Sequence, residues 1–192
     1  MLRKWRKNNH FISDLEFNTL LSKIQSVATL QKDIVFTPNN TGSNWLGVKN
    51  ASVAMFPNNV IILPQNYSNT LLSKDQTNAI INEIVKARQT QIIFSGIPNY
   101  TYDWMNKLNQ KKVKVGVIFH GGLAELAGNQ QAANQMKKLL EYANNGIVSK
   151  VGVVKEGLDE WFHLKIKASV YKLHPVFTPP SELKFDFIRK LN

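Results

Sequence analysis

The chain has 192 residues, of which 43% are apolar or aromatic, and it contains no cysteine. This length suits one domain with its own hydrophobic core, and the lack of cysteine excludes disulfides, thiolate metal sites and a cysteine nucleophile. The formal net charge is +11, from 24 basic and 13 acidic residues. Such a charge favours an anionic partner, whether a nucleic acid, an anionic lipid surface or a phosphorylated substrate.

The N-terminus is strongly basic around a single aromatic residue. Four basic residues flank Trp5: Arg3, Lys4, Arg6 and Lys7. This combination suits an anionic membrane interface, a nucleic acid whose base stacks on the indole, or a solvated tail. The segment lacks the apolar core of a signal peptide, and no apolar run approaches the roughly 20 residues of a membrane span. We therefore expect residues 1–12 to be a basic tail of a cytoplasmic protein, with peripheral contact at the inner face of the membrane as a further option.

Two helix starts carry a capping box, in which a serine is followed three residues later by Glu or Gln. The pairs are Ser13 with Glu16 and Ser73 with Gln76. In this arrangement each side chain accepts a hydrogen bond from the other residue's backbone amide. We expect helices over about 14–30 and 74–88, each with one apolar stripe to bury. Thr101 is expected to cap a shorter helix, and an amphipathic helix is expected near 132–143.

Short apolar runs bounded by turn residues predict six strands, at 33–37, 60–64, 91–96, 113–119, 151–154 and 169–173. Unlike alternating strands, continuous Val, Ile and Phe runs are typical of strands covered on both faces. Helices of 10 to 17 residues are predicted between most of them. The alternation indicates an α/β fold, with a doubly wound, mostly parallel sheet and helices on both faces, as in Rossmann-like domains.

The central run, 113–119, breaks abruptly at His120, Gly121 and Gly122. Glycines there allow a sharp turn and leave room for a ligand beside the backbone. Ligands of open α/β sheets bind beyond the carboxyl ends of the strands. We therefore take His120 as the best candidate for a substrate contact or proton transfer, against the alternative of a histidine that bonds only a neighbouring loop.

Other residues at predicted strand ends are candidates for substrate binding. The turn after the first strand contains Gly42, Ser43 and Asn44, which suit an anion or serve only as a connection. Gly96 ends the third strand. Glu156, after the fifth strand, could accept hydrogen bonds from sugar hydroxyls or only complement a helix dipole. His174, at the end of the sixth strand, is as easily structural. The histidines lie far apart, so neither a metal site nor a cofactor is predicted.

At this point several segments resemble the N-terminal half of a GT-B glycosyltransferase. They are the strand and turn at 115–122 (V-G-V-I-F-H-G-G), the helix after it, the strand at 150–155 with Glu156 and Gly157 behind it, a last strand leading into a proline-containing linker, and the segment 44–51 after Thr41, Gly42 and Ser43. The resemblance covers about residues 33–178, through topology and scattered motifs.

The resemblance implies an enzyme that moves a sugar from a nucleotide-sugar donor to a glycan or lipid-linked acceptor, in a cleft between two Rossmann-like domains. Residues 13–178 would be the acceptor-binding domain, and 179–192 a linker towards a C-terminal donor-binding domain. His120 would contact the donor sugar, the loop with Gly42 would approach the diphosphate, and no metal is implied. The family's donor-binding Glu-x7-Glu pair and its paired loop glycines are not found here. The chain alone is therefore expected to be an incomplete enzyme.

Two other functions stay open from the sequence. The net charge of +11 also suits a basic nucleic-acid-binding α/β module, which we rank below the glycosyltransferase. A small-ligand-binding domain without catalysis would use the same strand ends. Five lysines are candidates for an anionic membrane contact or for a solvated face: Lys111, Lys112, Lys114, Lys137 and Lys138.

Overall fold

The computed structural model describes five ranges of the chain: 10–39, 46–64, 70–88, 91–122 and 127–174. Most of the predicted basic tail, the turn at 40–45 and the predicted linker at 179–192 lie outside these ranges. Every structural statement below concerns the described residues.

The centre of the molecule is a parallel sheet of six strands in the order β3-β2-β5-β6-β7-β8. Two further strands, β1 and β4, pair with each other. The strands are β1 (His10–Phe11), β2 (Asp33–Pro38), β3 (Val60–Leu63), β4 (Thr70–Leu71), β5 (Gln91–Ser95), β6 (Lys114–Phe119), β7 (Lys150–Val153) and β8 (Ser169–Lys172). This arrangement confirms the predicted doubly wound α/β fold. The two-residue strands β1 and β4 were not predicted, because they are too short to carry a pattern.

Six helices flank the sheet in the described part of the chain. They are α1 (Asp14–Leu30), α2 (Leu46–Met55), α3 (Lys74–Lys86), α4 (Thr101–Gln110), α5 (Gln130–Asn144) and α6 (Leu158–Lys165). Within the described ranges, none combines the length and the apolar character that crossing a bilayer requires.

Both predicted capping boxes are confirmed. The backbone amide of Glu16 donates to Ser13 Oγ at 3.3 Å, and the amide of Ser13 donates to Glu16 Oε2 at 2.9 Å. Ser73 and Gln76 make the same reciprocal pair at 3.1 and 2.9 Å. The predicted cap at Thr101 is wrong: Thr101 is the first helical residue of α4, and its hydroxyl donates to the Pro98 carbonyl at 2.7 Å instead.

The two faces of the sheet are covered unequally. Phe36, Phe94 and Trp104 pack with ring centroids 5.7 to 6.4 Å apart, which places α4 on the face where Phe36 and Phe94 point. Helices α1, α3, α5 and α6 contribute to the same core cluster. Helix α2 packs on β2, β3 and β5 from the opposite face, where Ser52 reaches Ser95.

The strand order creates a topological switch point between β2 and β5. From β2 the chain runs through α2 to β3 on one side, whereas from β5 it runs through α4 to β6 on the other. The two connections leave these neighbouring strands towards opposite faces of the sheet, and ligands of open α/β sheets typically bind beyond the carboxyl ends at such a point. The fold therefore directs attention to the ends of β2, β5 and β6.

Candidate functional site

A chain of hydrogen bonds lies at this switch point. Ser95 Oγ is 2.9 Å from His120 Nε2 and 2.6 Å from Ser52 Oγ. Ser52 Oγ is in turn 2.6 Å from the carbonyl oxygen of Val48, one turn earlier in α2. Ser52 and Ser95 are fully buried, and His120 is half-buried. The site thus connects a partly accessible imidazole to a buried backbone carbonyl through two hydroxyls.

This connection determines which ring nitrogen of His120 carries the proton. A carbonyl oxygen can only accept, so the 2.6 Å distance from Val48 O requires the single hydroxyl hydrogen of Ser52 to point at it. Ser95 must then donate to Ser52, and its remaining capacity is to accept. Nε2 of His120 therefore carries the hydrogen and donates to Ser95, and Nδ1 carries the lone pair of the neutral ring.

The pleat of the strands explains why these side chains meet. Ser95 is the last residue of β5, and it pairs in register with Ile118 of β6. Side chains alternate between the faces of a sheet, so Ser95, Ile118 and the second residue after it, His120, all point towards α2. A helix residue placed one to two turns into α2 reaches the same point, and that residue is Ser52.

Thr37 adds a further hydroxyl beside this chain. It follows Phe36, which is paired in register with Phe94, so Thr37 lies next to Ser95 on the α2 face. The Thr37 side chain is 0% exposed, and Oγ1 has no hydrogen-bond partner among the described residues. A buried hydroxyl without a partner costs about 1–3 kcal/mol, which a polar ligand atom or a water at the switch point would recover.

His120 is neutral under physiological conditions. Burial lowers its pKa from 6.5 to about 4, and the positive charge of Lys155 contributes in the same direction. Lys155 lies two residues beyond the end of β7, the neighbour of β6, and its side chain is exposed. The candidate site therefore has a neutral imidazole beside one cationic side chain.

The structure brings several of the predicted site residues together. Gly121 and Gly122 follow His120 and are half-buried, and a side chain at Gly122 would meet open space. Gly96 follows Ser95 at the end of β5. Its φ of 81° suits glycine, and its amide donates to the Ile118 carbonyl at 3.1 Å. These three glycines and His120 form the carboxyl edge over β5 and β6.

Two other predicted residues lie away from this group. The Glu156 side chain is 94% exposed and makes an ion pair with Lys172 at 3.8 Å, a contact worth little at the surface. It lies in the turn before α6, whose first residue is Leu158. His174 is exposed beyond β8, two strands from β6 and about 10 Å away across the sheet. Gly42, Ser43 and Asn44 lie outside the described residues.

Four residues of the site were not singled out from the sequence: Thr37, Ser52, Ser95 and Lys155. Ser95 carried a usable signal, because it precedes Gly96 at a predicted strand end. Ser52 carried none, since nothing in α2 distinguishes it from a solvated serine until the helix is placed over β5. Among the described residues, no three His, Asp or Glu side chains come together as metal ligands.

Comparison of the chain with known protein families, with curated proteins and with solved structures finds no match. The fold assignment rests on the strand order and register alone. Any assignment of function rests on the chemistry of the Ser52, Ser95 and His120 chain and its neighbours.

Proposed function

We propose that this chain is the acceptor-binding half of a glycosyltransferase that moves a sugar from a nucleotide-sugar to a glycan or lipid-linked acceptor. The acceptor would bind over the carboxyl ends of β2, β5 and β6. One observation carries the proposal: the hydrogen-bonded chain from Val48 O through Ser52 and Ser95 to His120, at the switch point of an α/β sheet.

The tautomer of His120 suits a sugar hydroxyl. With Nε2–H bonded to Ser95, the Nδ1 lone pair accepts a hydrogen bond, and the hydroxyls of sugars are its natural donors. A neutral ring avoids the cost of desolvating a charge when the acceptor displaces water. Gly122, two residues after the ring, faces open space that suits a polyol.

The transfer itself requires one bond to form and one to break. The acceptor oxygen bonds to the anomeric carbon of the donor sugar, while the bond from that carbon to the diphosphate oxygen breaks. The proton of the acceptor hydroxyl goes to Nδ1 of His120, the group closest to it in this scheme. A base with a pKa of about 4 accepts a proton poorly at neutral pH, so His120 needs help from its surroundings.

The diphosphate leaving group can raise the pKa of His120 by neutralising the charge of Lys155. The positive charge of Lys155 is the second cause of the low pKa of His120. A diphosphate beside Lys155 neutralises this charge and raises the pKa of the imidazole, although burial, the larger cause, remains. Arrival of the donor would thereby make His120 a better base at the moment the base is needed.

The test is calorimetric titration of the chain against a panel of mono- and oligosaccharide acceptors and nucleotide-sugars. We expect an acceptor saccharide to bind, and His120→Ala to weaken that binding about 3- to 10-fold, the value of one lost neutral hydrogen bond. His163→Ala is the matched control, because His163 lies exposed on α6 away from the site. Transfer should appear only when a donor-binding domain is added.

The proposal fails if no saccharide or nucleotide-sugar binds, or if both histidine variants bind as the parent does. A nuclear magnetic resonance titration of the His120 ring gives an independent readout. Its pKa should rise when a nucleotide diphosphate is added, and the rise should vanish in Lys155→Gln.

A non-catalytic small-ligand-binding domain is the second candidate. The observation that favours it is the low pKa of His120, which suits a binding contact better than a base. Binding of a saccharide without any transfer, in the presence of a donor domain, would support this function.

A further inference from the structure

The amino edge of the sheet, opposite the candidate site, has a row of exposed basic side chains. Five neighbouring strands of the sheet, β2, β5, β6, β7 and β8, each have one to three of these side chains at or just before their first residue. We call these residues the basic rim: Lys32, Arg88, Lys111, Lys112, Lys114, Lys150, Lys165 and Lys167. Five neighbouring strands carry the rim, so it extends about 19 Å along the edge.

Charge is segregated between the two edges of the molecule. Acidic residues occupy the first turns of α1, α3, α4 and α6, which lie at the carboxyl edge: Asp14, Glu16, Asp75, Asp103, Asp159 and Glu160. Within the described ranges the amino edge has three acidic residues, which are Asp33, Glu83 and Glu141. Glu83 is already engaged by Lys86 and Gln25. Eight of the 17 basic residues in the described ranges thus lie on the rim, where few acidic residues offset them.

Two members of the rim have a left-handed backbone conformation, which costs free energy for any residue other than glycine. Arg88 and Lys112 have φ angles of 52° and 62°, and among the described residues they are the non-glycine residues with positive φ. Each lies two residues past the end of a helix, α3 or α4. The equivalent position after α5 is Gly146, with φ 77°, which is the usual choice there. Helix-dipole stabilisation explains a lysine near a helix end, but not a lysine in place of this glycine.

Exposed leucines stand near the two ends of the row. Leu30, at the end of α1, is 75% exposed and precedes Lys32. Leu164 of α6 is 83% exposed and precedes Lys165. Lysines bracketed by exposed aliphatic side chains fit a lipid surface, where the ammonium groups meet headgroups and the leucines enter the acyl boundary. The rim holds seven lysines and one arginine, and its Lys150 already lies 6.0 Å from the centre of the exposed Tyr171 ring. A nucleic-acid surface would gain more from arginines and from uncovered aromatic rings for stacking.

From this combination we infer that the basic rim, with Leu30 and Leu164, docks on an anionic phospholipid surface. The inference does not depend on the proposed glycosyl transfer, since the rim and His120 lie on opposite edges. The partner is the bilayer surface itself, and the contact is reversible because each lysine adds only modestly to binding.

The experiment measures binding of the full chain to phosphatidylcholine vesicles with and without 30% phosphatidylglycerol, by sedimentation. We expect binding only to the anionic vesicles, falling steeply with salt. The triple change Lys111→Gln, Lys112→Gln and Lys114→Gln should weaken it about 100-fold. The control, Lys23→Gln, Lys74→Gln and Lys137→Gln, makes the same change in net charge on exposed helix positions and should bind nearly as the parent does. Circular dichroism verifies that both variants fold.

Three results would overturn the inference. One is equal loss in the rim and control variants, which would mean that net charge alone acts. Another is no loss in the rim variant, which would assign binding to the basic residues around Trp5. The third is tighter, rim-dependent binding of a single- or double-stranded oligonucleotide in the same buffer. The changes Leu30→Ser and Leu164→Ser should weaken binding to vesicles but not binding to an oligonucleotide. His120→Ala should leave vesicle binding unchanged.

Discussion

His120 links the stability of the fold to pH. Its pKa in the folded protein is about 4, against 6.5 in the unfolded chain, because burial disfavours the charged ring. Above pH 6.5 both states are neutral and the group contributes nothing. Between pH 6.5 and 4 the unfolded chain binds a proton that the folded chain does not, so stability falls as pH falls. Below about pH 4 the loss is complete, at about 3 kcal/mol.

We therefore predict that the free energy of unfolding, measured with urea at pH 7 and pH 4, falls less between these two pH values in His120→Gln than in the parent. The carboxylates titrate in both proteins, so their contribution cancels in the comparison. His163→Gln, on the exposed part of α6, should keep the parent's pH dependence. Identical pH profiles for the parent and His120→Gln would show that the imidazole is not held neutral.

Ser52 acts on His120 without touching it. Its hydroxyl is committed to the Val48 carbonyl, which orients Ser95 to accept from Nε2–H. In Ser52→Ala, the Ser95 hydroxyl loses its acceptor and is free to donate to Nε2, so we predict a shift of the neutral ring towards the Nδ1–H tautomer. Imidazole ¹⁵N chemical shifts measure the tautomer directly.

Ser149→Ala is the control for that variant, because Ser149 also donates to a backbone carbonyl, that of Val115, but at the other end of the sheet. It should leave the His120 tautomer as it is. An unchanged tautomer in Ser52→Ala would contradict the proton arrangement derived for the site.

At the scale of single elements, the ends of α3, α4 and α5 offer a comparison within one molecule. Lys112→Gly should stabilise the fold by about 0.5–1 kcal/mol, because glycine adopts φ 62° without the steric cost of a side chain. Gly146→Ala should destabilise it by a similar amount at φ 77°, although space around Gly146 is open. Thermal and urea unfolding measure both. If Lys112→Gly is neutral or destabilising, the lysine is not held there at a cost.

The elements that the sequence predicted well are those with local causes. Ser13 with Glu16 and Ser73 with Gln76 define helix starts through bonds between residues three apart, and the apolar run ending at Phe119 is long enough to identify a buried strand. Thr101 was wrongly predicted as a helix cap because a threonine hydroxyl has several local hydrogen-bond partners. In the structure it donates to the carbonyl oxygen of Pro98. The position of His120 at the end of a central parallel strand followed from the strand pattern alone, whereas its role in a site stays a prediction.

The remainder of the site depends on tertiary placement. Ser52 meets Ser95 across 43 residues of sequence, and no local pattern in the sequence indicates that α2 packs on this face of the sheet. Lys155 and His120 become neighbours only when β7 pairs with β6. The sequence also suggested Glu156, because it follows a strand, yet the turn before α6 carries that side chain into solvent.

At the scale of the whole molecule, the sheet should open from its β8 edge. Strands β2, β5, β6 and β7 are bonded on both sides, whereas β8 is an edge strand with one buried residue of four. We predict that amides of β5 and β6 exchange with deuterium slowest, and that amides of β8 exchange at least about 10-fold faster. Exchange followed by mass spectrometry tests this order. Uniform protection across the sheet would mean that β8 unfolds only with the whole domain.

The separation of the two edges of the sheet determines how far His120 would lie from a bilayer docked on the basic rim. Strand β6 is six residues long, so His120 lies about 20 Å from the level of Lys114. A molecule resting on headgroups through its rim holds His120 at that height above the bilayer. A sugar joined directly to a lipid headgroup stays below it, whereas a glycan on a tether of 20 Å or more reaches it. Under both proposals, the length of the tether between lipid and glycan would decide which acceptors reach His120, before the identity of their terminal sugar matters.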